Sequence, residues 1–245
     1  METLNKAILW YAITYQGDWQ KIGEAIKNKE PFQYIQVPCC YITIVDKEYP
    51  DLLKALRYPP WILFYKGNIQ LLKHTYIGIV GSRKCSQQAI KNTEIVVNRI
   101  KKKYGIVSGL ARGIDGMAHH CALDAKTIGI LGCGIDQVYP KENKHLFYAM
   151  EKKQLILSEY PPGTPPLRHH FPWRNRLIAA FSQALIVIEA NHKSGTMITV
   201  NDCLELSKPV YCLPTSFNQK EYQGCNYLIQ NGANLVMDEK DLDDI

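Results

Sequence analysis

From Tyr76 onward the chain repeats one pattern: a short, unbroken apolar run, then a longer stretch with helical periodicity. The runs fall at Tyr76–Val80, Gly105–Ser108, Thr127–Leu131, Leu155–Ser158, Ala184–Ile188, Pro209–Leu213 and Asn234–Met237. A strand that is apolar at every position has both faces covered, and strands separated by helical crossovers align in parallel. The pattern predicts a doubly wound, mostly parallel α/β sheet. The first crossover shows how a helix meets that sheet. Ala89, Thr93, Val96, Val97 and Ile100 form one apolar stripe, while Lys91, Arg99, Lys101, Lys102 and Lys103 face away. The lysine triplet reads as a solvated helix end, and the acidic stretch Asp238 to Asp244 as a terminal fringe.

Upstream of the repeat, Leu4, Ile8, Leu9, Ala12, Ile22 and Ile26 recur at helical spacing, with Gly17-Asp18 dividing them into two short helices. Two helices bury little alone, so residues 1–38 are expected to form a small helical domain docked on residues 39–245. Tyr41–Ile44, a short helix at Tyr49-Pro50-Asp51-Leu52-Leu53 and a strand ending at Gly67 then extend the main sheet. With 245 residues and 46% hydrophobic content, the chain fills a core without staples. Its eight cysteines contain no C-x-x-C pair, which favours reduced, mostly buried thiols over disulfides or zinc. Residues Met1 to Trp19 carry Glu2 and Asp18 and lack a basic leader pattern, and no apolar run reaches membrane-spanning length. The expected setting is the cytoplasm, away from membranes.

Ligands of an open parallel sheet bind beyond the carboxyl ends of its strands. Those positions hold Gly81-Ser82-Arg83-Lys84, then Ser108-Gly109-Leu110-Ala111-Arg112-Gly113, then Gly132-Cys133-Gly134 with Tyr139-Pro140-Lys141-Glu142-Asn143. The next strand leads into a proline-rich phrase, Pro161 to Pro172, and on to Arg174-Asn175-Arg176. Glu189 and Lys193-Ser194-Gly195-Thr196 follow the strand after that. Glycines admit backbone N–H groups to phosphate oxygens, helix N-termini add partial positive charge, and Arg or Lys completes the neutralisation. Taken singly, each glycine makes a turn, each hydroxyl caps a helix, and Arg174-Asn175-Arg176 is either a phosphate grip or a stiff connector with solvated arginines. Taken together on one rim they predict a ligand with several phosphates, a polynucleotide or a dinucleotide, and the net charge of +6 agrees with an anionic partner.

Other chemistries fit less well. Neither Gly78-Ile79-Val80-Gly81-Ser82-Arg83 nor Gly132-Cys133-Gly134-Ile135-Asp136-Gln137 completes the G-x-G-x-x-G fingerprint, and no G-x-x-x-x-G-K-[ST] motif occurs. His119-His120 and His169-His170 lack a carboxylate at ligand spacing, so no metal and no cofactor is expected.

At these loops the sequence resembles the DNA-processing protein A family, also called Smf. The resemblance rests on Ile79-Val80-Gly81-Ser82-Arg83, Val107-Ser108-Gly109-Leu110-Ala111-Arg112-Gly113-Ile114-Asp115, Leu131-Gly132-Cys133-Gly134-Ile135-Asp136 and Tyr139-Pro140-Lys141-Glu142-Asn143. It continues through Ser158-Glu159-Tyr160-Pro161-Pro162-Gly163, His170-Phe171-Pro172, Arg174-Asn175-Arg176, Ser194-Gly195-Thr196 and Gly224-Cys225-Asn226-Tyr227-Leu228-Ile229. It implies an extended Rossmann-like fold and a single-stranded DNA-binding protein, without catalytic turnover, that protects incoming strands in natural transformation and hands them to the RecA recombinase. By position it assigns DNA contacts to Arg83 and Lys141, with Gly81, Ser82, Ser108, Gly109, Arg112, Asn143, Arg174, Asn175, Arg176, Ser194, Gly195 and Thr196 completing the pocket. A homodimer is expected as well, since Met197, Ile198, Val200, Leu204 and Leu206 crowd one late helix. Partner surfaces are expected near Asn191 to Leu213.

Two departures from the family stand out: Pro214-Thr215-Ser216 replaces the usual Pro-Gly-Ser, and no winged-helix-like module follows before Ile245. Two other classes of function remain open. One is a nucleotide or nucleotide-sugar hydrolase using Glu189 or Glu205, although the double glycine of such enzymes is missing. The other is an interaction scaffold whose pocket takes only a small anion.

Overall fold

The computed structural model describes residues 2–216 and 219–245, and its strands join in one nine-stranded sheet. In chain order they are β1 (Cys40–Thr43), β2 (Ile62–Gly67), β3 (Tyr76–Val80), β4 (Gly105–Ser108), β5 (Thr127–Leu131), β6 (Leu155–Ser158), β7 (Ser182–Val187), β8 (Val210–Cys212) and β9 (Asn234–Leu235). Across the sheet the order is β1-β2-β6-β5-β4-β3-β7-β8-β9. From β6 to β9 all neighbours are parallel, whereas β2 pairs antiparallel with both β6 and β1. The expected doubly wound α/β sheet is therefore present, Rossmann-like at its centre and extended at one edge by the Tyr41 to Gly67 region.

The helices are α1 (Glu2–Thr14), α2 (Trp19–Asn28), α3 (Asp51–Lys54), α4 (Gln87–Ile100), α5 (Ile114–Cys121), α6 (Lys144–Lys153), α7 (His170–Phe181), α8 (Gly195–Glu205) and α9 (Gly224–Gln230). Successive residues of a strand point to opposite faces. Tyr76 and Val80 of β3 thus join the cluster under α3, α7, α8 and α9, while Ile77 and Ile79 join the one under α4 and α5. On that second face Ile8, Leu9, Ala12, Ile22 and Ala25 of α1 and α2 share a third cluster with Phe64, Leu131, Ile156 and Met150. The stripe predicted for α4 is its buried face, residue for residue.

Several local expectations change. The acidic C-terminus is docked: Leu242 and Ile245 are buried in the α4–α5 cluster, Asp243 pairs with Arg99, and the Tyr104 hydroxyl donates to Ile245 O at 2.7 Å. The lysine triplet is only partly solvated, because Lys101 reaches Cys121 O and Asp124, and Lys103 reaches Ile245 O, leaving Lys102 exposed. On α8, Val200 is buried and Met197 and Leu206 pack on the core, so only Ile198 (37% exposed) and Leu204 (57%) face outward. Thr215 takes no left-handed backbone angle; its N–H donates to Asn226 Oδ1 and its hydroxyl to Tyr222 O, which holds the turn without glycine. All eight cysteines are free thiols, of which Cys133, Cys203, Cys212 and Cys225 are buried. No helix among the described residues is long and apolar enough to cross a membrane.

Candidate functional site

Strand order reverses between β3 and β7, because the chain winds outward from β3 to β6 and returns through α7 to β7. That reversal leaves a crevice beyond the carboxyl ends of the strands. Loops after β3, β4, β6 and β7 meet there around a hollow of about 740 Å³. The first contributes Gly81, Ser82, Arg83 and Lys84, and the β6–α7 segment contributes Arg168, Phe171, Arg174 and Asn175. Asp115 enters from the start of α5, and Ser194, Gly195 and Thr196 from the start of α8. A smaller hollow of about 230 Å³ adjoins it, adding Gly109, Arg112, Gly132 and Cys133.

Arg174 lines both hollows and is only 3% exposed. It donates through Nη1 to Gly109 O at 2.8 Å and to Ile130 O, and through Nε to Asn175 Oδ1 at 3.2 Å. Burial lowers its pKa to about 10, opposed by Asp115 and reinforced by Arg83, so the group stays cationic at neutral pH. Asp115 is pushed in the other direction: burial raises its carboxyl, while Arg174, Arg83 and the N–H groups of Gly109 and Ala111 pull it back. It is a buried carboxyl group beneath the arginines. Gly109 is required for this packing, since a Cβ there would lie 2.5 Å from the Arg174 guanidinium nitrogens. Gly113 is required for another reason: its φ is +72°, and a Cβ would sit 2.2 Å from Ser82 O, where the first two loops cross.

The rim adds the exposed cations Arg83, Lys84 and Arg168. Arg83 lies over the Phe171 ring at 5.5 Å, and Phe171 lies 5.5 Å from Tyr139, so flat aromatic faces stand beside the charges. Ser194 stands at the N-cap position of α8 with extended backbone but makes no side-chain capping bond, and its buried Oγ has no hydrogen-bond partner. The first turn of α8 adds partial positive charge at the same edge. Thr196 Oγ1 is already committed to Gly81 O at 3.2 Å. Among the described residues no group of three His, Cys, Asp or Glu is placed to hold a metal ion.

The structure thus gathers Gly81, Ser82, Arg83, Arg174, Asn175, Ser194, Gly195 and Thr196 around the main hollow, and Gly109 and Arg112 around the smaller one. Arg112 also pairs with Glu142 at 2.5 Å. Four expected residues are placed elsewhere. Ser108 Oγ donates to Ile79 O at 2.6 Å, tying β4 to β3, and Asn143 Nδ2 donates to Leu110 O and Ala111 O, holding the loop after β4. Lys141 is exposed just past Pro140, outside the lining of both hollows. Arg176 is a correction to the expected double-arginine grip. It is buried in a two-pronged pair with Glu159, at 2.8 and 2.6 Å, and donates further to Tyr58 O at 3.1 Å. Residues two apart on a helix point about 200° apart, so Arg174 and Arg176 cannot serve one ligand.

Lys84, Asp115, Tyr139, Arg168 and Phe171 line the hollows without having been assigned. Lys84, Tyr139 and Arg168 lie in the loops that the sequence marks, Asp115 and Phe171 in the first turns of the helices that follow, and a carboxyl group and two aromatic rings are not phosphate ligands. Glu189, the hydrolase candidate, is 5% exposed, and its two oxygens accept from Ser86 N at 3.0 Å and Ser86 Oγ at 2.6 Å. It anchors the start of α4. Glu205 is exposed on the far side of α8.

The family model described as DNA recombination-mediator protein A matches residues 40–244. The DNA processing protein DprA of Streptococcus pneumoniae is 44% identical over 202 residues, covering 82% of this chain and 72% of that protein. Protein Smf of Synechocystis is 38% identical over 234 residues, covering 91% of this chain and 59% of that protein. The solved S. pneumoniae DprA structure superposes with a TM-score of 0.82 at 38% identity, covering 97% of this chain and 92% of that one. A Helicobacter pylori DNA processing protein A, solved for its single-stranded DNA binding mode, gives 0.77 at 29% identity over 86% of this chain and 97% of its own. With the model matching from the first strand to the docked C-terminus, the chain belongs to the DNA recombination-mediator protein A family.

Proposed function

We propose that the crevice binds the backbone of single-stranded DNA, and that the protein shields such strands in the cytoplasm during natural transformation and passes them to the RecA recombinase. One observation carries this reading: Arg83, Lys84, Arg168 and Arg174 converge with the first turn of α8 on one hollow, above a single buried carboxyl group. Phosphate contacts position a strand without reading its sequence, and the Tyr139–Phe171 pair offers faces on which bases stack. Contacts spread over several loops suit a flexible single strand better than a stiff duplex. Glu189, with both oxygens committed to Ser86, is not available as a hydrolytic acid or base. A homodimer through the α/β body is supported by the outward Leu204 on α8, Ile198 lining the crevice itself, and a scattering mass of one chain at tens of micromolar would count against it.

The test is binding of labelled oligo-dT and of a duplex of equal length over a range of salt. Arg83→Ala should weaken single-strand binding and lower the slope of log K against log[salt] by about 0.7, one phosphate's worth. Lys102→Ala, on an exposed helix end away from the crevice, should change little. Equal losses for both variants would mean diffuse surface attraction and refute the crevice.

A further inference from the structure

The proline-rich segment that separates β6 from α7 has two sides. Pro166, Arg168, Phe171 and Pro172 line the cationic crevice, whereas Leu167, His169, His170 and Trp173 line a second cleft of about 960 Å³ behind it. The far wall of that cleft is the α1–α2 turn, with Trp19, and the segment before β2, with Tyr58. We propose that this cleft is a base-stacking subsite that takes nucleobases of the strand whose phosphates lie in the crevice. The inference rests on the reading of the crevice as a single-stranded DNA site.

Aromatic continuity is the first observation. Trp19 and Tyr58 meet edge to face at 5.1 Å, Tyr58 and Trp173 lie 5.5 Å apart, and Tyr160 stacks on His170 at 3.9 Å. Trp19 is held in place rather than mobile: its Nε1 donates to Pro59 O at 2.6 Å, Trp61 Nε1 donates to its carbonyl at 2.9 Å, and Trp61 stacks on it at 5.4 Å. Such a surface is preorganised for flat ligands.

Charge is the second. The crevice is lined by guanidiniums, while the cleft holds only Asp18 and Lys21, which pair with each other at 3.8 Å, and the histidines. A phosphate has little to bind there, but a base has. The third observation is an unpaired polar atom. His170 is 7% exposed and its Nδ1 has no hydrogen-bond partner. Burial and the neighbouring His169 hold the imidazole toward its neutral form, against the Gly132 backbone, which favours the cation, and a neutral imidazole hydrogen-bonds a neutral base edge and not only an anion. Finally, the partition is fixed. Gly163 N donates to Asp136 Oδ1 at 2.8 Å and Gly134 N to Thr164 O at 2.9 Å, so a strand passing over Leu167 and Arg168 meets phosphate contacts on one side and aromatic rings on the other.

The experiment compares oligo-dT of three nucleotides, which fills only the crevice, with oligo-dT of twenty, using the wild type, Arg83→Ala and Trp173→Leu. Loss of a stacked base weakens binding by about 5- to 150-fold and releases no counterions. Trp173→Leu should therefore weaken the long oligonucleotide by that factor, spare the short one and leave the salt slope unchanged, whereas Arg83→Ala should weaken both and flatten the slope. A folded Trp173→Leu that binds the long oligonucleotide like the wild type overturns the subsite while the crevice stands. Loss with Trp173→Leu but none with Arg83→Ala overturns the crevice instead, and with it the strand path proposed here. Should Trp173→Leu fail to fold, wild-type tryptophan emission decides: quenching at saturating long oligonucleotide but not at saturating short one supports the subsite, and no difference overturns it.

Discussion

Replacing Arg176 with Met removes a guanidinium while keeping an unbranched side chain of similar reach. Both oxygens of Glu159 accept from Arg176, and Glu159 is 4% exposed, so the variant leaves a carboxylate in the interior with its charge partner gone. Removing one partner of a buried pair typically costs about 3 to 5 kcal/mol. For a chain of this size each kcal/mol lowers Tm by about 2 to 4 °C, which places the expected drop between about 6 and 20 °C. The stranded carboxylate would also escape its penalty by taking a proton. A neutral carboxyl costs less to bury than a carboxylate, so the variant's deficit should shrink as pH falls and grow as pH rises. Pairing Arg176→Met with Glu159→Leu removes both charges and should recover most of the loss. Thermal unfolding followed by circular dichroism at pH 5 and pH 8 measures each quantity. Affinity for three-nucleotide oligo-dT, taken well below both transitions, should be unaltered because Arg176 faces away from the crevice; longer strands are not used, since Arg176 also supports Tyr58 and Trp173 in the aromatic cleft. A Tm within 2 °C of the parent at pH 8, or affinity reduced as much as by Arg83→Ala with the fold intact, would refute the assignment of Arg176 to structure.

Three further outcomes follow from the same contacts. Gly109→Ala places a Cβ 2.5 Å from the Arg174 guanidinium and should cost about 1 to 3 kcal/mol in urea unfolding while weakening oligonucleotide binding, whereas unchanged affinity would show that Arg174 is not part of the site. Fully buried His119 has its pKa lowered to about 3, so between pH 6.5 and 3 the unfolded chain binds a proton that the folded one does not. Stability should fall with pH across that window by about 1.4 kcal/mol per unit more than in His119→Leu, and parallel pH profiles for the two proteins would contradict it. Glu189→Gln leaves one acceptor for the two Ser86 donors and should lower stability by about 1 to 3 kcal/mol, while release of free base from nucleoside monophosphates by the parent, abolished in this variant, would restore a catalytic reading.

What the amino-acid order determined by itself is the local pattern and its consequences. Uniformly apolar runs between amphipathic stretches dictate parallel strands covered on both faces, and the stripe from Ala89 to Ile100 dictates the buried side of α4. Parallel strands in turn place every loop after a strand on one rim, so Gly81-Ser82-Arg83 and Ser194-Gly195-Thr196 were legible as neighbours before any contact was known. Which residue of a loop faces the ligand was decided only by tertiary packing. Arg174 and Arg176 look equivalent in sequence, yet one meets Gly109, 65 positions away, and the other Glu159 and Tyr58, because the turn of α7 sends them to opposite sides. Ser108 and Asn143 are drawn off to hold neighbouring backbone, and Glu189 is consumed by Ser86, 103 residues earlier. The division has one physical cause. Periodicity and turn chemistry act between residues a few positions apart and are written in local order, whereas a buried polar group must find a partner wherever the packed chain supplies one.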